Sequence, residues 1–304
     1  MAISRAQLVK ELEPGLNALF GLEYKRYDNQ HAEIYTNESS DRAFEEEVML
    51  SGFANANVKV EGSGVNYDQA QETYSARYTH DTIALAFAIT EEAIEDNLYD
   101  KISSRYTKAL ARSMSNAKQV KAAAPLNNGL PTVDGFDSGD GVSLFNTSHT
   151  TVSGTNVKNT LTTQADLNET SLEQALIDIS AFTDERGLRV AAKGMKMIIP
   201  SANQFSAERL LKSQGRTGTA DNDINAVVSM GMVPQGYRVN NFLTDSDSWY
   251  IITDVPNGMK MFTRAPLTTA MEGDFDTGNV RYKARERYSF GVSDYRGIFG
   301  CEGA

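Results

Sequence analysis

The chain has 304 residues, of which 40% are hydrophobic and 23% are charged, values typical of a globular protein with one large core or two lobes. A net charge of −11 argues against a protein that coats nucleic acid by releasing counterions, and allows one that encloses nucleic acid without gripping it. One cysteine, no signal-peptide pattern and no apolar run of roughly 18 residues argue against a disulfide framework, a secreted protein and a membrane span.

The first 50 residues are predicted to form an N-terminal arm. A short helix from Ile3 to Phe20, interrupted at Pro14 and Gly15, is indicated by leucines at helical spacing: Leu8, Leu12, Leu16 and Leu19. It is either an arm that packs on a neighbour or a frayed terminus. Residues 23–47 are polar, and we expect them on a surface or ordered only against another copy.

Residues 51–80 are predicted to form an extended hairpin. Apolar residues alternate with polar ones from Phe53 to Tyr78 on both sides of the Gly-containing turn Glu61–Gly64. These strands are too polar to form a core by themselves, and an isolated hairpin is at best marginally stable. If its support is a neighbouring subunit, the hairpin is an assembly element.

A strand and a long helix follow the hairpin. Thr82–Ile89 is apolar at every position after Thr82, which predicts a strand buried on both faces. From Thr90 to Ala124 no proline interrupts a helical pattern that would span roughly 50 Å at 1.5 Å per residue. The predicted buried stripe consists of Ile94, Leu98, Ile102, Tyr106, Leu110 and Met114, with Ala109, Ala117 and Val120 beside them.

Three stretches resemble a known family, the major capsid proteins of tailed bacteriophages with the HK97-type shell fold. The first is TIALAFAITEEA at Thr82–Ala93, which follows the extended hairpin. The second is ADNDINAVVSMGM at Ala220–Met232, and the third is EGDFDTGNVRYKARERYSFGVSDYRG at Glu272–Gly297.

The resemblance implies an α+β capsid fold with four parts. These are an N-terminal arm (1–50), a hairpin called the E-loop that lies over an adjacent subunit (51–80), a peripheral domain with a long spine helix (81–128 plus 272–304) and an axial domain (129–271). No large helical scaffolding region precedes residue 20, so we expect a separate scaffold protein or none. Covalent cross-links like those of the founding member have no identifiable acceptor, and Lys59 is the only lysine of the hairpin.

The resemblance also implies partners and a location. Copies of the chain would form hexamers and pentamers of an icosahedral head, together with a portal and with or without separate scaffold and cement proteins. Packaged double-stranded DNA would be enclosed without sequence-specific contact, and no membrane is involved. The protein would belong to the virion and assemble in the cytoplasm of a bacterial host.

The segment between Pro125 and the tail is predicted to contain loops, two helices and a mixed sheet. Pro125, with the Gly- and Ser-rich residues after it, is expected to end the long helix. The helices are Ser171–Arg186, with a capping box at Ser171 and Gln174, and one that Ser201 caps. The predicted strands are Met195–Ile199, Tyr237–Val239, Trp249–Thr253 and Met259–Phe262, the last two joined by the turn Val255–Gly258.

The tail contains a clear alternating strand from Val280 to Val292, apolar on one side and basic on the other. Its basic side has no interleaved aromatic residue, which argues against nucleic-acid binding and favours a solvated face or one that meets acidic groups of a neighbour. The residues predicted to contact other subunits are Lys59, Glu61, Gly62, Ser63, Gly64, Tyr67, Arg281, Lys283, Arg285 and Arg287.

No catalytic, metal or cofactor site is predicted. His31, His80 and His149 have no metal-ligand spacing, and Asp134, Asp137 and Asp140 fail the calcium-loop pattern. The nucleophile elbow, the phosphate loop and the dinucleotide fingerprint are missing from the sequence. We therefore expect a self-assembling structural protein. The alternatives are a cellular nanocompartment shell protein of the same fold, which encloses protein cargo, and a soluble hydrolase.

Overall fold

The computed structural model describes residues 5–90, 92, 99–131, 136–216, 223–274 and 278–304. Within these ranges the chain forms two four-stranded sheets, a projecting hairpin and a small two-stranded ribbon. The helices are α1 (Arg5–Tyr24), α2 (Tyr99–Asn128), α3 (Glu169–Ser180), α4 (Gln204–Lys212) and α5 (Ala226–Ser229). The strands are β1 (Thr36–Ser39), β2 (Phe44–Leu50), β3 (Glu72–Thr79), β4 (Asp81–Ile89), β5 (His149–Thr150), β6 (Asn156–Val157), β7 (Gly194–Ile199), β8 (Tyr237–Val239), β9 (Trp249–Thr253), β10 (Met259–Gly273), β11 (Val280–Val292) and β12 (Ile298–Cys301).

The first sheet has the order β1-β10-β11-β4, with β1 parallel to β10 and the other pairs antiparallel. Helices α1 and α2 cover one of its faces. Their contact buries a compact apolar cluster: Leu16, Phe20, Leu110, Ala111, Met114, Tyr282 and Ala284. The opposite face carries the basic residues of β11. Both α1 and β1, which lie in the predicted N-terminal arm, therefore belong to the first sheet and its helical layer.

Helix α1 is continuous, and the predicted interruption at Pro14 is wrong. The helix runs through Pro14 to Tyr24. Packing compensates for the hydrogen bond that proline removes, because Leu16 and Phe20 are buried against α2 and β11. The Asn17 side chain also accepts hydrogen bonds from Thr269 and Tyr282, at 2.8 Å each.

Helix α2 is described from Tyr99 and passes Pro125, so the predicted end at Ala124 is wrong. The predicted stripe residues Ile94 and Leu98 lie outside the described residues. Leu110 and Met114 are buried as predicted, whereas Tyr106 is 53% exposed. Ala109 and Val120 are also exposed, and the buried face instead includes Ser103, Thr107, Ser115 and Gln119.

The two hairpin strands lie farther from the turn Glu61–Gly64 than the alternating pattern predicted. The first strand begins and ends earlier in the sequence, and the second begins later. Strands β2 and β3 pair from Phe44 to Leu50 and from Glu72 to Thr79. Residues 53–71, here called the exposed loop, contain no strand and are all exposed. The reason is packing: Ala76 and Tyr78 of β3 are buried against Phe262, whereas the loop residues have no layer to pack on.

Strand β4 is not buried on both faces, contrary to the prediction. It pairs with β11 over its whole length but forms the edge of the first sheet. Ile83, Leu85 and Phe87 lie on the face that is turned towards the helices, where Leu85 is still 46% exposed. Ala84, Ala86 and Ala88 are exposed on the opposite face, and no described segment covers this opposite face.

The second sheet has the order β12-β9-β7-β8 and packs against α3 around a large core. Its largest fully buried side chains include Trp249, Tyr250 and Phe299. Helix α3 begins after Asn168, whose side chain accepts from the Ser171 N–H at 2.9 Å in a reciprocal capping box. The predicted cap at Ser171 and end at Arg186 are wrong by a few residues, because a turn at Asp184–Leu188 follows the helix.

Ser201 does not cap α4 directly. It begins a short 3-10 turn, Ser201–Asn203, that leads into the helix, and its side chain makes no capping hydrogen bond. One residue predicted for this helix, Phe205, is exposed, while Leu210 is buried.

Besides the long path from β4 through α2 to β7, two short chain crossings connect the sheets. The turn Val255–Gly258 leads from β9 in the second sheet to β10 in the first, so these strands do not form a hairpin. Strand β10 continues to Gly273 rather than ending at Phe262, because it pairs with β11 over this length. The chain returns to β12 through Tyr295–Gly297. Sheet membership therefore differs from the predicted domain ranges: β10 lies in the first sheet and β12 in the second.

Candidate assembly surfaces

The six predicted contact residues of the hairpin all lie near the tip of the exposed loop. Gly62 has a φ of 81°, which favours glycine, and the Ser63 N–H donates to the Val60 carbonyl at 3.1 Å. Lys59, Glu61, Ser63 and Gly64 are exposed around this turn, and Tyr67 is 97% exposed. The structure brings these residues together and leaves them free of the rest of the subunit.

Below its tip, the loop is anchored through Asp68. The carboxylate accepts hydrogen bonds from the Ala54 N–H at 2.7 Å and from the Gln69 N–H at 2.9 Å, so it ties the two limbs of the loop together. These backbone hydrogen bonds, with the charge of Arg186, hold the pKa of Asp68 below its usual range. Arg186, which follows α3, contacts Asp68 at 2.8 Å and thereby sets the direction in which the tip projects.

The stem of the hairpin, β2 and β3, is held on the first sheet by a buried lysine. Lys260 on β10 contacts Glu47 of β2 at 2.5 Å and Glu38 of β1 at 3.1 Å. Burial works to lower the pKa of Lys260, but the hydrogen bonds with the two carboxylates outweigh it and raise this pKa. Ser293, which follows β11, also contacts Glu47, and the Tyr78 hydroxyl lies 2.5 Å from the Ser293 Oγ.

A second polar connection lies at the base of the stem, where His80 joins β3 to β4. Ser40 Oγ donates to Glu45 at 2.7 Å, so the Nε2 of His80, at 2.9 Å, donates to Ser40. Nδ1 then accepts from the Ser289 hydroxyl at 2.9 Å. The neutral imidazole satisfies this pattern, and burial together with the positive charge of Arg287 lowers the pKa of His80.

The four basic residues of β11 form a straight row, here called the cationic row, on the solvent face of the first sheet: Arg281, Lys283, Arg285 and Arg287. Arg281 pairs with Asp274, whereas Lys283 and Arg285 have no ion-pair partner among the described residues. Small side chains flank most of the row in register, whereas Glu272 of β10 lies opposite Arg281. The small residues are Thr82, Ala84, Ala86 and Ala88 on β4, and Ala265, Thr268 and Ala270 on β10. The charged groups of Lys283 and Arg285 therefore project from a flat part of the surface that is formed by small side chains.

Arg287 differs from the other three residues of the row because it is only half exposed, and its Nε is buried without a hydrogen-bond partner in the described chain. It lies beside His80 and acts on the titration of that histidine, as does Arg264 of β10. The structure thus places three of the row residues on an open surface and the fourth at the base of the hairpin.

Sequence reasoning missed Glu286, a buried carboxylate on the helix-covered face of β11. It is 2% exposed, lies 3.2 Å from Lys118 of α2 and accepts from the Tyr24 hydroxyl at 3.4 Å. Burial raises the pKa of Glu286, and the nearby Lys118 opposes that rise. The signal was present in the sequence, because Glu286 has the same strand parity as the buried Ala284 and Tyr288.

A cluster of buried charges at the joint between the sheets was also missed. Arg296 contacts Glu185 at 2.5 Å and Asp294 at 3.2 Å, and all three are nearly fully buried. Asp294 and Arg296 are two residues apart in the sequence, but Glu185 is 111 residues from Arg296, and no pattern links it to them. Such pairs fix geometry rather than supply chemistry, since every charge is already partnered.

The buried side chain of His149 packs beside this cluster. Its Nδ1 lies 2.6 Å from the Asp140 carboxylate, and its Nε2 lies 3.1 Å from the Asn159 Oδ1. The amide of Asn159 donates to backbone carbonyls, so its oxygen must face the ring. Both ring nitrogens of His149 therefore lie within hydrogen-bond distance of an oxygen atom, which fixes the orientation of the ring. The ring stacks on Tyr295 at 3.9 Å.

The described ranges contain no group of His, Cys, Asp or Glu residues that could hold a metal ion. Of the three aspartates tested against the calcium pattern, Asp134 lies outside the described residues, and Asp140 is occupied by His149. No helix in the part of the chain that the structure describes is long and apolar enough to cross a membrane.

Comparison with known proteins gives a family and a fold. Residues 73–300 match a family described as phage capsid protein. No curated protein matches the sequence significantly.

Several solved structures are similar over most of their length. The capsid of an empty GTA particle is 14% identical with a TM-score of 0.59 and covers 91% of both chains. A virus-like particle from Pyrococcus furiosus is 12% identical with a TM-score of 0.53, over 95% of this chain and 98% of that one. The capsid of Myoviridae phage XM1 is 12% identical with a TM-score of 0.53, over 89% of both. At such identities the structures establish the fold alone, and the predicted α+β shell fold is confirmed.

Proposed function

This chain belongs to the phage capsid protein family, and we propose that its copies form the hexamers and pentamers of a tailed-phage head that encloses double-stranded DNA. The family match establishes a major capsid protein, a structural and non-enzymatic component of the virion that assembles into an icosahedral shell. It favours the phage head over the nanocompartment and the hydrolase.

One observation carries the proposal of contacts between subunits: apolar residues in regular alternation are left exposed by the single subunit. In the exposed loop Val58 is 94% exposed and Val60 is 70% exposed, and on β4 the alternate residue Leu85 is 46% exposed. Exposed apolar surface of this extent marks interaction sites in soluble proteins. In a shell subunit, burial that is missing within one copy is completed by the next.

The contact residues follow from the two surfaces described above. The loop tip, with Lys59, Glu61, Gly62, Ser63, Gly64 and Tyr67, contacts a neighbouring subunit, because the tip touches nothing in its own subunit. The cationic row, Arg281, Lys283, Arg285 and Arg287, faces acidic groups of another copy. Lys283 and Arg285 have no ion-pair partner among the described residues, which favours a complementary acidic surface on the neighbour. The chain as a whole is acidic.

The two sheets correspond to the two domains that the family resemblance implies. The first sheet with α1 and α2 is the peripheral domain, and α2 is its spine helix. The second sheet with α3 is the axial domain, whose copies meet around the five-fold and six-fold axes. Portal, scaffold and cement proteins are further partners, and assembly takes place in the host cytoplasm.

The test is to express the full chain alone and with a candidate scaffold, then to analyse the product by size-exclusion chromatography and negative-stain microscopy. Closed shells, tubes or rings of five and six subunits are the expected products. A compact monomer under every condition would overturn the proposal. Nuclease-protected DNA in particles from infected cells separates a phage head from a protein-filled compartment.

A further inference from the structure

The free edge of β4 is the most unusual surface of the first sheet. Strand β4 is nine residues long and pairs with β11 on one side at every position from Asp81 to Ile89. On its other side no strand pairs with it in the described ranges. The backbone groups that point outwards along this edge are therefore available to another strand.

Edge strands normally carry features that prevent such pairing: lysine, proline, a bulge or short length. Strand β4 has none of them. Its register with β11 is unbroken, and Asp81 at its start is its only charged residue. Its side chains are apolar on both faces, which is typical of a strand with neighbours on both sides and both faces covered. The sequence thus specifies more burial than one subunit provides.

An apolar strip lies beside this edge on the helix-covered side of the sheet. Leu85 is 46% exposed, and the Phe87 ring lies 5.8 Å from that of Tyr106 on α2, which is 53% exposed. A strand added to β4 would place every second side chain over this strip. Such a strand should therefore be apolar at alternate positions and polar between them.

One segment of the exposed loop has this pattern and pairs with no strand among the described residues. From Ala54 to Val60 the sequence is ANANVKV, in which alanine and valine alternate with asparagine and lysine. Every residue of the segment is exposed, and none is in a strand. The alternation predicts a half-buried strand, yet the subunit offers it nothing to lie on.

The loop does not pair with β4 of its own subunit. Strand β3, eight residues or roughly 26 Å long at about 3.3 Å per residue, lies between the two along the chain. Asp68 is in addition paired with Arg186, which follows α3. These contacts hold the loop away from β4, so another copy of the chain is the natural source of the added strand.

We propose that residues 54–60 of a second copy pair with the free edge of β4 as an added strand. The inference rests on the proposed function and specifies its contact. Ala54, Ala56, Val58 and Val60 lie on the side of Leu85 and Tyr106, where they cover the apolar strip. Asn55, Asn57 and Lys59 lie on the other face, towards solvent. The added strand extends the first sheet from four strands to five.

The test uses cysteine cross-linking in assembled particles. The single native cysteine, Cys301, is buried, so the wild-type chain provides a clean background. Subunits with Val58→Cys and subunits with Leu85→Cys are mixed, assembled and treated with a short bismaleimide, which tolerates a shift of register. We expect a cross-linked dimer on a denaturing gel. The control mixture replaces Leu85→Cys with Ile177→Cys, another exposed apolar position, on α3, and should give none.

A second variant tests the edge by function. Leu85→Lys places a charge on the edge and should weaken assembly about tenfold or more without changing the melting temperature of the free subunit. Ile177→Lys should leave assembly unchanged. Normal assembly of Leu85→Lys would overturn the inference.

The outcomes separate this inference from the proposed function. Particles that assemble without a cross-link between positions 58 and 85 would overturn the added strand while the shell function stands. A cross-link in Leu85→Cys particles alone would show that two β4 edges pair with each other, which also overturns it. Failure of the wild-type chain to assemble under any condition would overturn the proposed function itself.

Discussion

We expect the replacement of Arg296 to lower the free energy of unfolding of the subunit strongly. Its guanidinium contacts Glu185 and Asp294, and its Nε donates to the Thr183 carbonyl at 2.8 Å. Burial alone would lower the pKa of Arg296, but Asp294 and the other acidic neighbours raise it above its usual range, so the cation is firmly held. Arg296→Met leaves two buried carboxylates without their counter-ion, and we expect a loss of about 3–5 kcal/mol in the free energy of unfolding.

Urea unfolding of the unassembled subunit measures this loss. The matched control is Arg238→Met, since Arg238 is half exposed and lies 3.4 Å from Glu33 at the surface. That change should cost less than about 1 kcal/mol. Equal losses for the two variants would contradict a structural role for the buried cluster.

His31 should make the subunit less stable in mild acid. Burial, together with the positive charge of Lys118, lowers the pKa of His31 from 6.5 to about 4. The unfolded chain therefore binds the proton more readily, and the stabilisation present above pH 6.5 is lost as the pH falls towards 4. Between pH 7 and pH 5 the wild-type free energy of unfolding should fall by about 1–2 kcal/mol more than that of His31→Gln.

His80 also has a lowered pKa and remains in both proteins, so it contributes equally to the two profiles. Denaturant unfolding at a series of pH values, at a concentration below that of assembly, gives the comparison. Parallel profiles for the wild-type chain and His31→Gln would show that His31 is not the group responsible.

At the scale of single residues, the sequence identifies which side of a strand is buried but not which charges accompany it. The alternation of β11 correctly placed Tyr282 and Tyr288 inside. Glu286 has the same parity but was passed over, because a carboxylate is buried only where a partner compensates it. That partner, Lys118, lies on α2, and only the folded chain brings the two together.

At the scale of secondary-structure elements, the backbones of the two short crossings between the sheets approach each other closely at Gly258 and Gly297. A Cβ added at Gly258 would lie 2.8 Å from the Gly297 Cα, closer than any real side chain allows. The Ser293 N–H donates to the Gly258 carbonyl at 3.0 Å, which fixes the crossings against each other. Gly297→Ala must push these backbones apart, and we expect a loss on the order of 2–4 kcal/mol.

In contrast to Gly297→Ala, the change Gly21→Ala is expected to raise the stability of the subunit. Gly21 lies in α1, and a Cβ there would meet nothing within 4 Å. Alanine is the better helix former, so this change should stabilise the subunit by up to about 1 kcal/mol. Thermal unfolding of both variants gives the two signs. A neutral Gly297→Ala would mean that the crossings can separate without loss of packing.

The end of α2 shows why an element boundary can escape sequence reasoning. Pro125 cannot donate its hydrogen bond, which predicts the end of the helix there. The helix continues to Asn128 because tertiary contacts stabilise its last turn. Leu126 is fully buried, its carbonyl accepts from the Tyr250 hydroxyl at 3.1 Å, and Ala122 accepts from Tyr35 at 2.6 Å. Those partners come from distant segments that local propensity does not contain.

For the whole molecule, the predictions that are wrong about burial have a common physical cause. The sequence of β4 was interpreted as a strand buried on both faces, and the alternation in the exposed loop as hairpin strands that need a support; the subunit leaves both exposed. A sequence specifies the burial of a residue in the functional assembly, whereas one subunit shows only the part that it provides alone. The fold class, the hairpin and the long helix were predictable because local patterns specify them. Which strand forms a sheet edge depends on non-local pairing.

The cationic row leads to a prediction about assembly as a function of salt. Lys283 and Arg285 are exposed and have no ion-pair partner among the described residues, so replacing both with glutamine should not change the stability of the free subunit. If the row meets acidic groups of a neighbour, added NaCl screens this attraction. Assembly of the wild-type chain should therefore weaken with salt, and the double variant should assemble less well and depend less on salt.

Light scattering of purified subunits over a range of NaCl concentrations measures both effects. The matched control removes the same charge elsewhere, through Lys25→Gln and Lys193→Gln, two exposed lysines without an ion pair in the described ranges. It should follow the wild-type curve. If the variant with Lys283→Gln and Arg285→Gln assembles better than wild type, the cationic row repels positive charge on a neighbouring subunit. The proposal that the row faces acidic groups is then wrong. The direction of the change therefore decides whether these cations hold subunits together or keep them apart.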